Sequence, residues 1–453
     1  MKTTKGQKQA VSIFQHSAER LAEKLPTKTK PFFLSLMLGA LLAVARRRTV
    51  TTWLQAAQIS DNFRQVFYHM PNIGRKSNVL FDMMLDEILK KLGPVIATSE
   101  FIRIVLDDSP TKRYGRKIEG AGYHHNPTPG RTNARTCFGH SWVVAVLVVT
   151  HPAFGEISFP IAAELYLRQK EIDKLQDKYA RKFKTKTTMA VEIVKHLVPK
   201  FKGFDKKIEV IVDGGYAKDT VLLPLGKLDN VVTITRLRRD AALFAIPPKP
   251  KKRGKGRPKL YGDRIDVKSK GETNHGWHYA ECRQYGEIVR KRTKSFVATS
   301  KLTCGKPVKV VLIKENEKVW VPLISTDAAM SEVEILEGYG VRFGIEETFK
   351  DLKEVWGWGK QELRKLESNE AATTMNMLLY GMTELSTWDR SAEELVDRRS
   401  RPWDDADRRP SHEDRRNFLR HGMLANEFNA ALNLSFMPKK IINVLQRLLK
   451  LAA

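Results

Sequence analysis

The chain has 453 residues, of which 42% are hydrophobic and 29% charged, which excludes disordered and fibrous classes and, at this length, leads us to expect two to four structural units. Lysine and arginine number 79 against 51 acids, a formal net charge of +28, and such an excess favours a polyanionic partner because bound cations release counterions from nucleic acid. An anionic membrane surface would also attract it, but the longest apolar run, "FFLSLMLGALLAVA" at 32–45, is too short to span a bilayer and reads as a buried helix.

Residues 1–98 read as a helical region. Within it, "RRRTVTTWLQAAQISDNFRQVFYHM" (46–70) predicts a short helix, a break near Ile59–Asp61 and a second helix that Asp61 could cap. Beside three arginines this is either a loose helix-turn-helix that touches DNA or a plain helical hairpin with a basic edge.

Residues 99–237 are α/β in pattern. "FIRIVLD" (101–107) is an apolar run ending in acids, and "SWVVAVLVV" (141–149) has the β-branched continuity of a buried central strand. "EISFPIAAELYL" (156–167) supplies a third strand after a turn near Gly155. A basic helical stretch at about 170–198 follows, then the strands "KIEVIV" ending at Asp213 and "NVVTITRL" (230–237). Residues 238–306 differ in composition: "IPPKPKKRGKGRPKLYG" (246–262) is a Pro/Gly/Lys run, and the segments around it suit an inserted β-subdomain. Residues 307–389 return to strands and then helix, and 390–453 combine a charged linker (390–416) with a final amphipathic helix at 438–451. The dispersed cysteines Cys137, Cys282 and Cys304 show no CxxC spacing, which fits a reducing compartment and argues against a zinc ribbon.

The stretch "YGVRFGIEETFKDLK" (339–353) reads as one helix. Tyr339, Arg342, Glu346 and Lys353 fall at i, i+3, i+7 and i+14, on a single stripe at about 100° per residue. An aromatic, two cations and an acid make a poor core. Two further acids, Asp107 and Asp213, stand at the carboxyl ends of buried-looking strands, the rim where α/β folds build sites. Three carboxylates gathered there repel one another unless a cation neutralises them. Hard oxygen donors suit Mg²⁺, and paired ions can clamp the attacking and leaving oxygens of a phosphodiester. Taken singly, Asp213 could be a turn former before two glycines, and Arg342 with Glu346 a solvated surface pair.

Together these residues resemble a family. Tyr339, Arg342, Glu346 and Lys353 match the Y-(2)-R-(3)-E-(6)-K signature of bacterial insertion-sequence DDE transposases, and "IVLDDSP" and "VIVDGGY" look like that family's first and second Asp strands. The resemblance covers roughly residues 45–385. It implies an RNase H-like catalytic core interrupted by a β-rich insertion between Asp213 and Glu346, with helical regions at both ends. It implies that Asp107, Asp213 and Glu346 bind Mg²⁺, with Mn²⁺ as a substitute, and that Tyr339, Arg342 and Lys353 hold phosphates of the element end. It further implies nicking of double-stranded DNA at inverted-repeat ends, 3′-OH transfer into target DNA, a homodimer in the synaptic complex, and a cytoplasmic, nucleoid-associated location. Asp108 is an alternative first ligand, although the Asp-x-Ser pattern with Ser109 favours Asp107, and alternation lets only one of the pair face the metals.

Other features have two readings each. Arg257 in "KKRGKGRPK" could enter an A·T minor groove, or the loop could touch phosphates only. His124, His125 and His140 near Cys137 are too spread for a typical zinc site and suit a loop near the catalytic rim. Trp277 is the better candidate for stacking on an unpaired base, and Trp320 reads as core. The rival functions are a non-catalytic DNA-binding protein derived from such an enzyme, and an RNase H-fold nuclease without strand transfer.

Overall fold

The apolar run at 101–107 becomes β1 (Ile102–Lys112), and the architecture is built outward from it. The computed structural model describes residues 4–44, 48–126, 133–248, 259–284, 286–316, 319–398 and 403–431. On one side β1 pairs antiparallel with the long β3 (Thr136–His151), whose far edge carries β2 (Gly122–His125) and β4 (Gly155–Tyr166). On its other side β1 runs parallel to β5 (Ile208–Val212), which is parallel to β6 (Val231–Arg236). Three antiparallel strands followed by two parallel ones, in the order β4-β3-β1-β5-β6, make the expected α/β, RNase H-like core.

The insertion does not stand apart from this sheet. β12 (Trp320–Ser325) pairs antiparallel with β6, and β11 (Pro307–Lys314), β10 (Glu287–Ser300) and β9 (His278–Gln284) continue outward, with the short β7 (Leu243–Phe244) and β8 (Arg264–Ile265) beyond β10. β11 and β12, expected to lie with the second part of the core, are the strands through which the insertion joins it. A second apolar cluster forms under them from Leu243, Val267, Val308, Val310, Leu312, Trp320 and Ile324, so Trp320 is core as expected.

Helices pack against the sheet. The N-terminal region holds α1 (Lys5–Ala22), α2 (Lys30–Leu42), α3 (Val50–Ala56), α4 (Val66–Gly74) and α5 (Ser77–Thr98). The apolar run at 32–45 falls largely in α2, whose Phe33, Leu36 and Leu41 are fully buried. Between α3 and α4 the chain makes a 3-10 turn from Ser60 to Gln65, so the second α-helix begins only at Val66, later than expected, and Asp61 lies in the first turn of the 3-10 segment instead of capping α4. Backbones here approach closely: a Cβ on Gly39 would lie 2.1 Å from the Trp53 carbonyl oxygen.

α6 (Gln169–Asp173) and α7 (Lys186–Leu197) replace the single basic helix expected at 170–198, because the Thr185 side chain accepts the Thr188 N–H and starts α7 afresh. α8 (Asp219–Leu225) and α9 (Val267–Glu272) are short. The stretch 339–353 is also two helices: α10 (Glu332–Gly340) and α11 (Phe343–Glu354). Gly338, Gly340 and Gly344 weaken helix propagation there, and the junction is closed by tighter bonds such as Arg342 N–H to Tyr339 C=O at 3.2 Å. α12 (Leu366–Thr387), apolar or small around most of its circumference, is the buried axis of the helical layer and packs on α1, α4, α5 and β4.

The charged stretch 390–416 is not a plain linker. α13 (Ala392–Leu395) has a capping box from Ser391 and Glu394, and α14 (His412–Ala431) starts inside the stretch and buries Arg415 and Arg416 against the body. The expected final helix at 438–451 and Arg257 lie outside the described residues.

Candidate functional site

Parallel pairing sets Leu106 of β1 beside Val212 of β5, so Asp107 and Asp213 emerge next to each other on the sheet rim. Asp213 also does the turn-forming work its sequence suggested: its Oδ1 accepts the Gly215 N–H at 2.8 Å and caps a 3-10 turn over Gly214–Tyr216. Asp107 accepts the Asp108 N–H at 2.8 Å on Oδ1 and an Arg342 Nη1 hydrogen at 3.0 Å on Oδ2. Burial first, and the neighbouring Asp213 second, push the Asp107 carboxyl up to about 7, against the pull of the Asp108 N–H and Arg342.

Asp107 and Asp108 face opposite ways, as strand alternation requires. Asp107 faces α11, whereas Asp108 turns toward α7, pairs with Lys186 and accepts the Tyr216 hydroxyl hydrogen at 3.3 Å. Tyr216 therefore sits among three aspartates, and burial followed by the charges of Asp108, Asp107 and Asp213 raises its hydroxyl far above the ordinary range. Neither Tyr216 nor Lys186 was singled out from the sequence. Tyr216 stands three residues after Asp213 in "DGGY", a usable signal, but nothing local ties Lys186 to Asp108.

The signature residues converge on the same rim from α10 and α11. Arg342 is the N-cap of α11, and its second Nη donates to Glu346 Oε1 one turn on. The Tyr339 ring lies 5.8 Å from the guanidinium carbon. Lys353 donates from Nζ to Ser109 Oγ at 2.7 Å, and Ser109 is on the Asp107 side of β1. Burial draws the Lys353 ammonium below its ordinary pKa. The expectation of an outward phosphate-binding stripe is thus modified. Arg342 and Lys353 are engaged with rim side chains, and the Arg342 side chain is 22% exposed.

The donor set at this rim is all oxygen, and the Asp107–Asp213 repulsion is what a hard divalent cation would relieve, so these residues fit such an ion chemically. As placed, the third carboxylate is turned to Arg342, and among the described residues no three His, Cys, Asp or Glu side chains gather closely enough to hold one.

Other expected positions fall elsewhere. His140 is buried, with Nε2 bonded at 2.9 Å to the Glu119 carbonyl, and Cys137 faces His124 across β2 and β3. Trp277 is half-buried, its Nε1 donates to the Thr273 carbonyl at 2.8 Å, and Lys294 and Lys314 lie over its ring, so it is no bare stacking platform. In the N-terminal region Arg48 turns inward to the Ala43 carbonyl, while Phe63, Phe67 and Tyr68 are 52%, 63% and 61% exposed. Arg46 and Arg47 lie outside the described residues. No described helix is long and apolar enough to cross a membrane.

The family model described as DDE superfamily endonuclease matches residues 20–294, a span that contains Asp107 and Asp213 and ends before Tyr339. No curated protein matches the chain. Among solved structures, the piggyBac transposase synaptic complex with hairpin DNA, determined by cryo-EM, aligns over 98% of this chain and 76% of that one. The identity is 10% and the TM-score 0.42, too distant a likeness to carry function across.

Proposed function

The chain belongs to the DDE superfamily endonucleases, and from that premise we propose that it is an insertion-sequence transposase that nicks DNA at element ends and transfers the freed 3′-hydroxyl into target DNA. The observation that carries this is the pairing of Asp107 and Asp213 on adjacent parallel strands, held in mutual repulsion, with Glu346 linked to Asp107 through Arg342.

Asp107, Asp213 and Glu346 would hold Mg²⁺, or Mn²⁺ in its place, which when bound supplies Lewis-acid stabilisation of the phosphodiester and a more acidic water. The chain's own residues do the remainder. Tyr339, Arg342 and Lys353 hold the scissile phosphate's neighbours, and Tyr216 and Lys186 fix Asp108 on the opposite face so that Asp107 keeps its orientation. In the first reaction water's oxygen bonds to phosphorus, the P–O3′ bond breaks and the 3′-oxygen leaves as a hydroxyl. In the second that hydroxyl attacks a target phosphate and displaces the target's own 3′-oxygen. The helical region before residue 99 contributes DNA contact through α3 and α4, where Phe63, Phe67 and Tyr68 stand exposed, and two copies would be needed to synapse two ends.

The test is Asp213→Asn, assayed on a plasmid carrying the DNA that flanks the coding region. Binding is retained and Mg²⁺-dependent nicking falls to background. Nicking at the wild-type rate rejects the assignment. The engagement of Glu346 with Arg342 favours one rival, a non-catalytic DNA-binding protein, and sequence-specific binding by the wild type without cleavage in Mg²⁺ or Mn²⁺ would select it.

A further inference from the structure

Arg342 is placed as no simple phosphate ligand would be. Its two terminal nitrogens are divided between a strand and a helix: one donates to Asp107 Oδ2 at 3.0 Å, the other to Glu346 Oε1. The Asp107 side chain is only 16% exposed, so this is more than the solvated i,i+4 pair the Arg342–Glu346 spacing alone would give. A guanidinium is a planar fork of fixed charge, and here the fork is the counter-charge that spans the two acids. Asp107 and Asp213 each also accept a backbone N–H on Oδ1.

We propose that Arg342 gates the site, bridging Asp107 and Glu346 until a DNA phosphate draws its guanidinium away and leaves both carboxylates to a divalent ion. The inference rests on the reading of Asp107, Asp213 and Glu346 as metal ligands and adds how their loading is controlled. Three features support it. A carboxylate oxygen donated to by Arg342 cannot at the same moment offer that lone pair to a metal, and a fixed positive charge between the acids repels an incoming cation. Phosphate is the competitor that a guanidinium fork accepts in place of carboxylate, through the same paired donation. Arg342 also sits at the junction where α10 ends and α11 begins, partly exposed, with Tyr339 beside it as a ring for the guanidinium to lie against. The coupling is reciprocal: whatever factor DNA adds to metal affinity, the metal adds to DNA affinity. An enzyme so built holds its metal weakly until DNA is in place, which limits idle hydrolysis.

The experiment titrates Mn²⁺ into the full chain and reads free Mn²⁺ by electron paramagnetic resonance, without DNA and then with a short duplex. Wild type is compared with Arg342→Gln, with Arg342→Lys (which keeps the charge but cannot span both acids) and with Asp213→Asn. We expect Arg342→Gln to bind Mn²⁺ more tightly than wild type without DNA, by a factor in the roughly 5–150-fold range of such couplings. Arg342→Lys should fall between them, and the duplex should raise Mn²⁺ affinity in wild type but hardly in Arg342→Gln. Should Arg342→Gln fail to fold, Arg342→Lys against wild type carries the comparison. Equal Mn²⁺ affinity in wild type and the folded Arg342 variants, with Asp213→Asn still abolishing binding, overturns the gate and leaves the metal site standing. Mn²⁺ binding that Asp213→Asn does not weaken overturns both, because the ion is then held elsewhere.

Discussion

At the sheet rim Asp107 lies beside Asp213 with Arg342 as partial counter-charge, whereas beneath α14 Glu384 is enclosed on every side. Its Oε1 accepts His412 Nδ1–H at 2.6 Å and its Oε2 lies 3.2 Å from Arg415 Nε, with all three side chains almost fully buried. Trp356 Nε1–H donates to His412 Nε2 at 2.7 Å, which sets the tautomer, and Tyr380 stacks on the imidazole at 3.9 Å. Burial pushes the Glu384 carboxyl up, but Arg415 and His412 outweigh it and hold it below its ordinary value. Asp107 goes the other way, to about 7, because burial and a like charge outweigh its single arginine. A buried charge with its partners complete is a structural element. One left short of partners on an open rim is poised for a ligand.

The sharpest way to break this contrast is Glu384→Ala. Removing the acid strands Arg415 in the interior, and stability should fall by about 3–5 kcal/mol in urea unfolding. A loss under about 1 kcal/mol would mean that the cluster does not hold α14 in place.

A smaller effect, of opposite sign, is expected at the rim. Asp107 has a folded pKa above its unfolded value, so its contribution to stability is complete below about 4 and is lost as pH rises toward about 7. Asp107→Asn removes that penalty. Without divalent ions the variant should therefore exceed wild type at pH 8 by about 2 kcal/mol or more and match it more nearly at pH 4. Equal differences at both pH values would show that Asp107 is not strained by its neighbours.

Least in energy is the difference between the two arginines toward DNA. With a divalent ion present, Arg342→Ala should make the slope of log affinity against log salt shallower by about 0.9, one phosphate contact, whereas Arg415→Ala should leave the slope unchanged. The same slope in wild type and Arg342→Ala would remove Arg342 from the DNA face.

Much of the rim was readable before any fold was known. The apolar runs ending in Asp107 and Asp213, and the spacing of Tyr339, Arg342, Glu346 and Lys353, are properties of short stretches. Other features were not: Arg415 and Arg416 sit in a run of charges that reads as solvated linker, and only the packing of α14 against α2 and α12 makes them interior. Tyr216 and Lys186 acquire meaning only because two segments far apart in sequence meet at Asp108.

By itself the sequence determined where the apolar runs lie and which acids follow them, because alternation, β-branching and turn residues act between near neighbours. Asp213 does end β5, whereas β1 continues past Asp107 to Lys112 because it stays paired with β3. Tertiary structure alone decided that the insertion extends the core sheet, that Asp108 meets Lys186 and Tyr216, and that Arg342 closes on Asp107. Those outcomes depend on which distant charge or backbone arrives alongside, and a long-range partner leaves no periodic trace in the local residue pattern.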